Sequence, residues 1–139
     1  MKNYLSTFIG VVGSMIAGLL GGWDMSIQTL LMFQVFDYAS GLIVAGVFHN
    51  SPKTENGAIE SKAGWKGLIR KGVTLGIVMM ANRLDMQLGT TYIRDGVCIA
   101  FITNELISIV ENCGLMGITM PDVIKNGLEV LTKEKSNHV

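Results

Sequence analysis

Residues 3–23 carry no charged side chain. A helix needs about 20 consecutive apolar residues to cross the hydrocarbon core of a bilayer. One acid later, residues 25–48 form a second apolar stretch whose only charge is Asp37. The break between them, at Gly21, Gly22 and Asp24, is so short that two helices joined there must run antiparallel. The expectation is a helical hairpin in lipid. The first stretch exceeds the roughly 7–15 residues of a signal-peptide core and runs straight into another apolar segment. It is therefore read as a retained span.

Composition points the same way. Charged residues make up 16% of the chain and hydrophobic residues 49%, against roughly 25% charged in soluble domains. Eleven basic side chains balance eleven acidic ones, so no overall basic field exists to attract nucleic acid. The two histidines, His49 and His138, lie in polar segments, and neither belongs to a metal-ligand or catalytic spacing. No catalytic, cofactor or metal site is expected, and enzyme chemistry is disfavoured. Cys98 and Cys113 lack a CxxC spacing and read as small apolar residues.

Beyond the hairpin, residues 49–66 (HNSPKTENGAIESKAGWK) hold five charges and several helix breakers, which makes them a loop outside the membrane. A third span is placed at about 68–84. Arg70 and Lys71 sit at its start, where long basic side chains extend their heads to the interface. A fourth is placed at about 96–112, closed by turn residues Gly114 and Gly117. Pro121 and Asp122 then start a terminal helix in which Ile124, Leu128 and Leu131 share a face. That face is expected on the membrane surface or against a neighbouring subunit. The predicted fold class is an all-α membrane protein: a domain at 1–120 with about four short transmembrane helices (4–23, 25–48, 68–84 and 96–112), then an amphipathic tail at 121–139. Lys53, Lys62, Lys66, Arg70 and Lys71 cluster around one loop, and Arg83 and Arg94 lie towards the other face. The positive-inside rule thus predicts both termini in the cytoplasm.

The ionisable groups inside these spans are the candidate functional residues. A charge at mid-membrane costs roughly 2.5–3.5 kcal/mol on insertion scales, so Asp37 must face protein or water. It either pairs with Arg83, or with Arg70 and Lys71, or it lines an aqueous path. On the fourth span Asn104, Ser108 and Glu111 form one stripe, and Glu105, Ser108 and Asn112 an overlapping one. That polar face can bond helices together or line a pore. Small residues recur at helix-packing intervals: Gly18 with Gly22, Gly13 with Ala17, Gly41 with Ala45, and Gly72 with Gly76.

Three segments carry a resemblance. Residues 104–121 (NELISIVENCGLMGITMP), 36–45 (FDYASGLIVA) and 64–72 (GWKGLIRKG) resemble the toxin-secretion and phage-lysis holin family, in the same order and spacing. The resemblance covers most of the chain. It implies a lysis protein that accumulates in the bacterial cytoplasmic membrane as a homo-oligomer, then forms lesions that release a muralytic endolysin. In some relatives the exported cargo is a large toxin. The alternative from the residues alone is a small-solute channel or transporter subunit, which needs the same intramembrane ions but conducts selectively.

Overall fold

A computed structural model describes residues 1–138. These form five helices: α1 (Lys2–Leu19), α2 (Met25–Gly46), α3 (Ser61–Leu88), α4 (Tyr92–Leu115) and α5 (Asp122–His138), with no strand among the described residues. The all-helical expectation holds, and so does the order of the helices.

The first break is built by two glycines. Gly21 and Gly22 have φ of 94° and 107°, a left-handed conformation open mainly to glycine. The amide of Gly22 donates to the Ala17 carbonyl at 2.8 Å, closing α1. Asp24 then caps α2, its carboxylate accepting from the Ile27 amide at 3.1 Å, as an acid at the N-cap does. Gly89 and Gly117, both left-handed, end α3 and α4.

α4 is the central helix, packed on α2, α3 and α5. The core joins Leu20, Ile27 and Leu30 to Val78 of α3 and to Cys98 and Ile102 of α4. Cys98 and Cys113 are both free thiols, buried among apolar groups. α5 folds back along α4, with Leu131 against the core. The tail thus lies on its own bundle, a placement not foreseen from its amphipathic pattern.

α1 differs from α2, α3 and α4, because none of its residues is buried. Leu5, Phe8, Ile9, Val11 and Met15 all stand exposed. The outer faces of α2 and α3 are similarly apolar, with Met32, Val35, Phe36, Val73 and Met80 uncovered.

Two span boundaries change. The loop occupies 47–60, and α3 begins at Ser61, several residues ahead of the expected 68. Gly64 and Gly67 do not break it, because Tyr38 packs over both and its hydroxyl donates to the Gly64 carbonyl at 3.3 Å. Arg70 and Lys71 therefore lie nearly three turns inside the helix. α4 extends on both sides of 96–112. Among the described residues, only α2 is both long enough and apolar enough to cross a bilayer by length and composition. α1 has 18 residues, about 27 Å at 1.5 Å per residue, and starts with Lys2 and Asn3. α3 and α4 are interrupted by charges, so their membrane placement rests on what those charges do.

Candidate functional site

The charges gather in two places. The first lies between α2, α3 and α4. Lys71 Nζ donates to Asp37 Oδ2 and to Glu105 Oε2, both at 2.7 Å. These side chains are only 15%, 8% and 13% exposed, respectively. Asn112 Nδ2 lies 3.1 Å from Asp37 Oδ1, 3.2 Å from the Asp37 carbonyl and 2.9 Å from Ser40 Oγ. Ser40 in turn donates to the Asp37 carbonyl at 3.0 Å. Gln34 Nε2 donates to the Lys71 carbonyl at 3.4 Å. Six polar residues from three helices thus satisfy one another where lipid or core would otherwise leave them unpaired.

The helices fix this arrangement through periodicity. Ile27, Leu30, Gln34, Asp37, Ser40 and Val44 are on the buried face of α2, at steps of three or four residues. The polar trio therefore points at the same neighbours as the apolar anchors. Ser40 and Gln34 were missed from sequence, although their three-residue spacing from Asp37 was the available signal.

Of the sequence candidates, Asp37, Lys71, Glu105 and Asn112 come together. Ser108 lines the same cleft. Arg70 does not pair with Asp37: it is exposed on the cleft rim, because a one-residue step turns it about 100° from Lys71. Arg83 is exposed three turns further along α3 and is not a partner of Asp37 either. Asn104 faces outward and accepts from Lys135 Nζ of α5 at 2.7 Å. Glu111 is exposed, so the stripe of Asn104, Ser108 and Glu111 does not form a single buried face.

The small residues also divide. Gly41 lies 3.7 Å from Asn112 Nδ2 by its would-be Cβ, and Ala45 is buried, so that pair serves packing within the bundle. Gly13, Gly18, Gly72 and Gly76 have nothing near them. Gly22 lies beyond the end of α1, so it forms no helical stripe with Gly18.

The second gathering lies at the opposite end and was not anticipated. Arg94 is buried, with Nε 2.5 Å from the Leu20 carbonyl and its two terminal nitrogens 2.8 and 3.0 Å from the Asp24 carboxylate. Asp85, also buried, accepts from the amides of Ile93 and Arg94 at 3.1 and 2.8 Å and from the Thr90 hydroxyl at 2.6 Å. It caps the start of α4 from the end of α3, where amide donors lack helical partners. A Cβ on Gly21 would lie 2.4 Å from Arg94 Nε, so glycine is required there for space as well as for φ. The Arg94 guanidinium holds the Asp24 carboxyl below its ordinary value.

Among the described residues no group of histidine, cysteine or acidic side chains is placed to hold a metal ion. What the geometry provides is ion pairing inside an apolar shell.

A model of the bacteriophage holin family matches residues 14–133. The chain belongs to that family. As a holin-family member it is a non-enzymatic membrane protein. Its curated relatives include a protein of Listeria innocua, 38% identical over 85% of this chain and 81% of the relative. A 14.9 kDa protein encoded in the nagH 3' region of Clostridium perfringens is 32% identical over 96% of both chains. A third, from Bacillus phage phi105, is named a probable holin and is 27% identical over 78% of this chain and 75% of its own. No solved structure matches the holin-family chain significantly.

Proposed function

We propose that this holin-family protein oligomerises in the bacterial cytoplasmic membrane and opens lesions through which an endolysin, or an exported toxin, leaves the cell. In this reading α1 to α4 are the four spans. The loop at 47–60, with the basic start of α3 that follows it (Lys62, Lys66 and Arg70), and both termini lie in the cytoplasm.

The observation that carries the reading is the inverted distribution of polarity. Asp37, Lys71 and Glu105 are enclosed, while the outward faces of α1, α2 and α3 are apolar and uncovered. Water penalises such a surface, since monomeric soluble proteins rarely expose contiguous apolar patches beyond a few hundred Å². Lipid accepts it and leaves intramembrane ions no choice but to pair inward. The charges that interrupt α3 and α4 are thereby consistent with spanning helices.

The same cluster supplies a route to opening. Within one subunit the polar groups of Asp37, Lys71, Glu105 and Asn112 satisfy one another. In a larger ring they can exchange those partners for water lining a hole. The unoccupied small-residue faces at Gly13, Gly18, Gly72 and Gly76 permit close helix approach between subunits.

Induced expression in bacteria, with membrane potential and escape of a cytoplasmic enzyme followed together, tests the proposal. Both should change abruptly and at the same moment. Solute flux without enzyme escape would instead identify a selective channel.

A further inference from the structure

We infer that the cleft on the loop side of the bundle holds the headgroup of an anionic phospholipid, its phosphate seated among Lys53, Lys66 and Arg70. The cleft has a volume of about 540 Å³ and opens between the loop, α2, α3 and α4. Lys66 and Arg70 lie one turn apart on the same face of α3, and Lys53 comes from the loop opposite. All three line the cleft and are exposed, and none forms a salt bridge among the described residues. The floor acids, Asp37 and Glu105, are already engaged by Lys71. Glu60 is the one acid left at the mouth.

Two further features point to a phosphate ester with a hydrocarbon tail. Thr54 Oγ1, in the cleft wall, is buried without any hydrogen-bond partner. Buried hydroxyls almost always have one, and a phosphate oxygen would accept from it alongside the charged donors. Part of the remaining wall is apolar, with Leu42, Ala45 and Ile59 beside polar groups such as Ser51 and Thr74, and the outer face of α2 carries the exposed Ile43 and Phe36. A free phosphate would use only the basic half of this cleft. A lipid uses both, with its acyl chains lying along α2.

The inference rests on the proposed placement of this loop and the basic start of α3 at the cytoplasmic face, where anionic lipids are abundant. Its test does not depend on lysis. The full chain, purified in a neutral detergent, is titrated with phosphatidylglycerol or with phosphatidylcholine of the same acyl chains, and bound lipid is counted by native mass spectrometry. One phosphatidylglycerol should be retained in preference to phosphatidylcholine. The combined variant Lys53→Gln, Lys66→Gln, Arg70→Gln should weaken it about a hundredfold, since each basic group near a lipid surface contributes about 1 kcal/mol and 1.4 kcal/mol is tenfold. Exchanging the same positions with charge kept (Lys53→Arg, Lys66→Arg, Arg70→Lys) should retain binding, and this guards against a folding artefact. Neutralising Lys2, Lys125 and Lys133 to glutamine should also leave binding intact. Equal retention of the two lipids, equal loss in the distal variant, or displacement by millimolar inorganic phosphate would overturn the proposal. A bound lipid in a protein that fails to lyse cells would leave the site standing and overturn only the lesion reading.

Discussion

The two ends of this helical bundle solve the problem of buried charge differently. At the turn end, Arg94 hydrogen-bonds one acid, Asp24, with Asp95 further off at 3.9 Å, and its Nε donates to the Leu20 carbonyl. Asp85 is satisfied separately, by two amides and a hydroxyl. Each group has a local reason to be there: the residues cap helices and pin one turn onto the other. At the loop end, a single lysine serves two carboxylates. The helices' own termini lie elsewhere, so this group caps nothing. The turn end reads as a clamp, and the loop end as a charged junction held together by one side chain. A junction with one cation is the weaker design for permanence and the better one for rearrangement.

The comparison is broken most directly at Lys71. Replacing it by methionine leaves two enclosed carboxylates without a cation, and uncompensated buried charge costs about 3–5 kcal/mol. Lys71→Met should strongly lower the melting temperature of the detergent-solubilised protein and abolish lysis. Adding Asp37→Asn and Glu105→Gln should return most of the stability, because the penalty lies in the stranded charges. If the triple variant melts as low as the single one, ion pairing is not what holds the loop end.

Arg94→Gln tests the clamp and should cost less, about 2–3 kcal/mol, by loss of charge-assisted hydrogen bonds. The reason is solvent. Asp24 is 48% exposed, against 8% for Asp37, so water can take over its lost partner. Thermal melting of the two single variants side by side should rank Lys71→Met below Arg94→Gln. The reverse order would mean that the clamp, not the junction, bears the greater desolvation.

How much of this was readable from the chain follows from the kind of signal each part leaves. The break between the first two helices was legible because residues 3–23 lack charge and Gly21 and Gly22 punctuate them, but the expected hairpin packing is not found: α1 meets α3 and makes no contact with α2. The involvement of Asp37, Lys71, Glu105 and Asn112 was legible because a lone charge in an apolar helix demands a partner. Which base would answer Asp37 was not, since choosing Lys71 over Arg70 depends on where α3 starts and how it is rotated. The start of α3 was misplaced because Gly64 looks like a breaker until Tyr38 is seen packing over it. The clamp was invisible because Arg94 and Asp24 stand seventy residues apart and each looked like an ordinary charge in a turn. Long-range pairing leaves no periodicity to read.

Acid distinguishes the two ends most gently. Asp24, in the turn between α1 and α2, is held below its ordinary value of 3.8 by the Arg94 guanidinium. A carboxylate depressed in the folded state contributes stability above its unfolded pKa and loses it as pH falls through the folded one. The clamp should therefore be at full strength near neutrality and weaken only as pH drops below about 4. Melting temperature followed from pH 7 downward should stay level and then fall. In Arg94→Gln the fall should be shallower, because the Asp24 carboxyl then has less to lose on protonation. An acid limb of the same depth in both proteins would show that the guanidinium does not hold the Asp24 carboxylate, and the one-to-one pairing that sets this end apart from the junction would have to be given up.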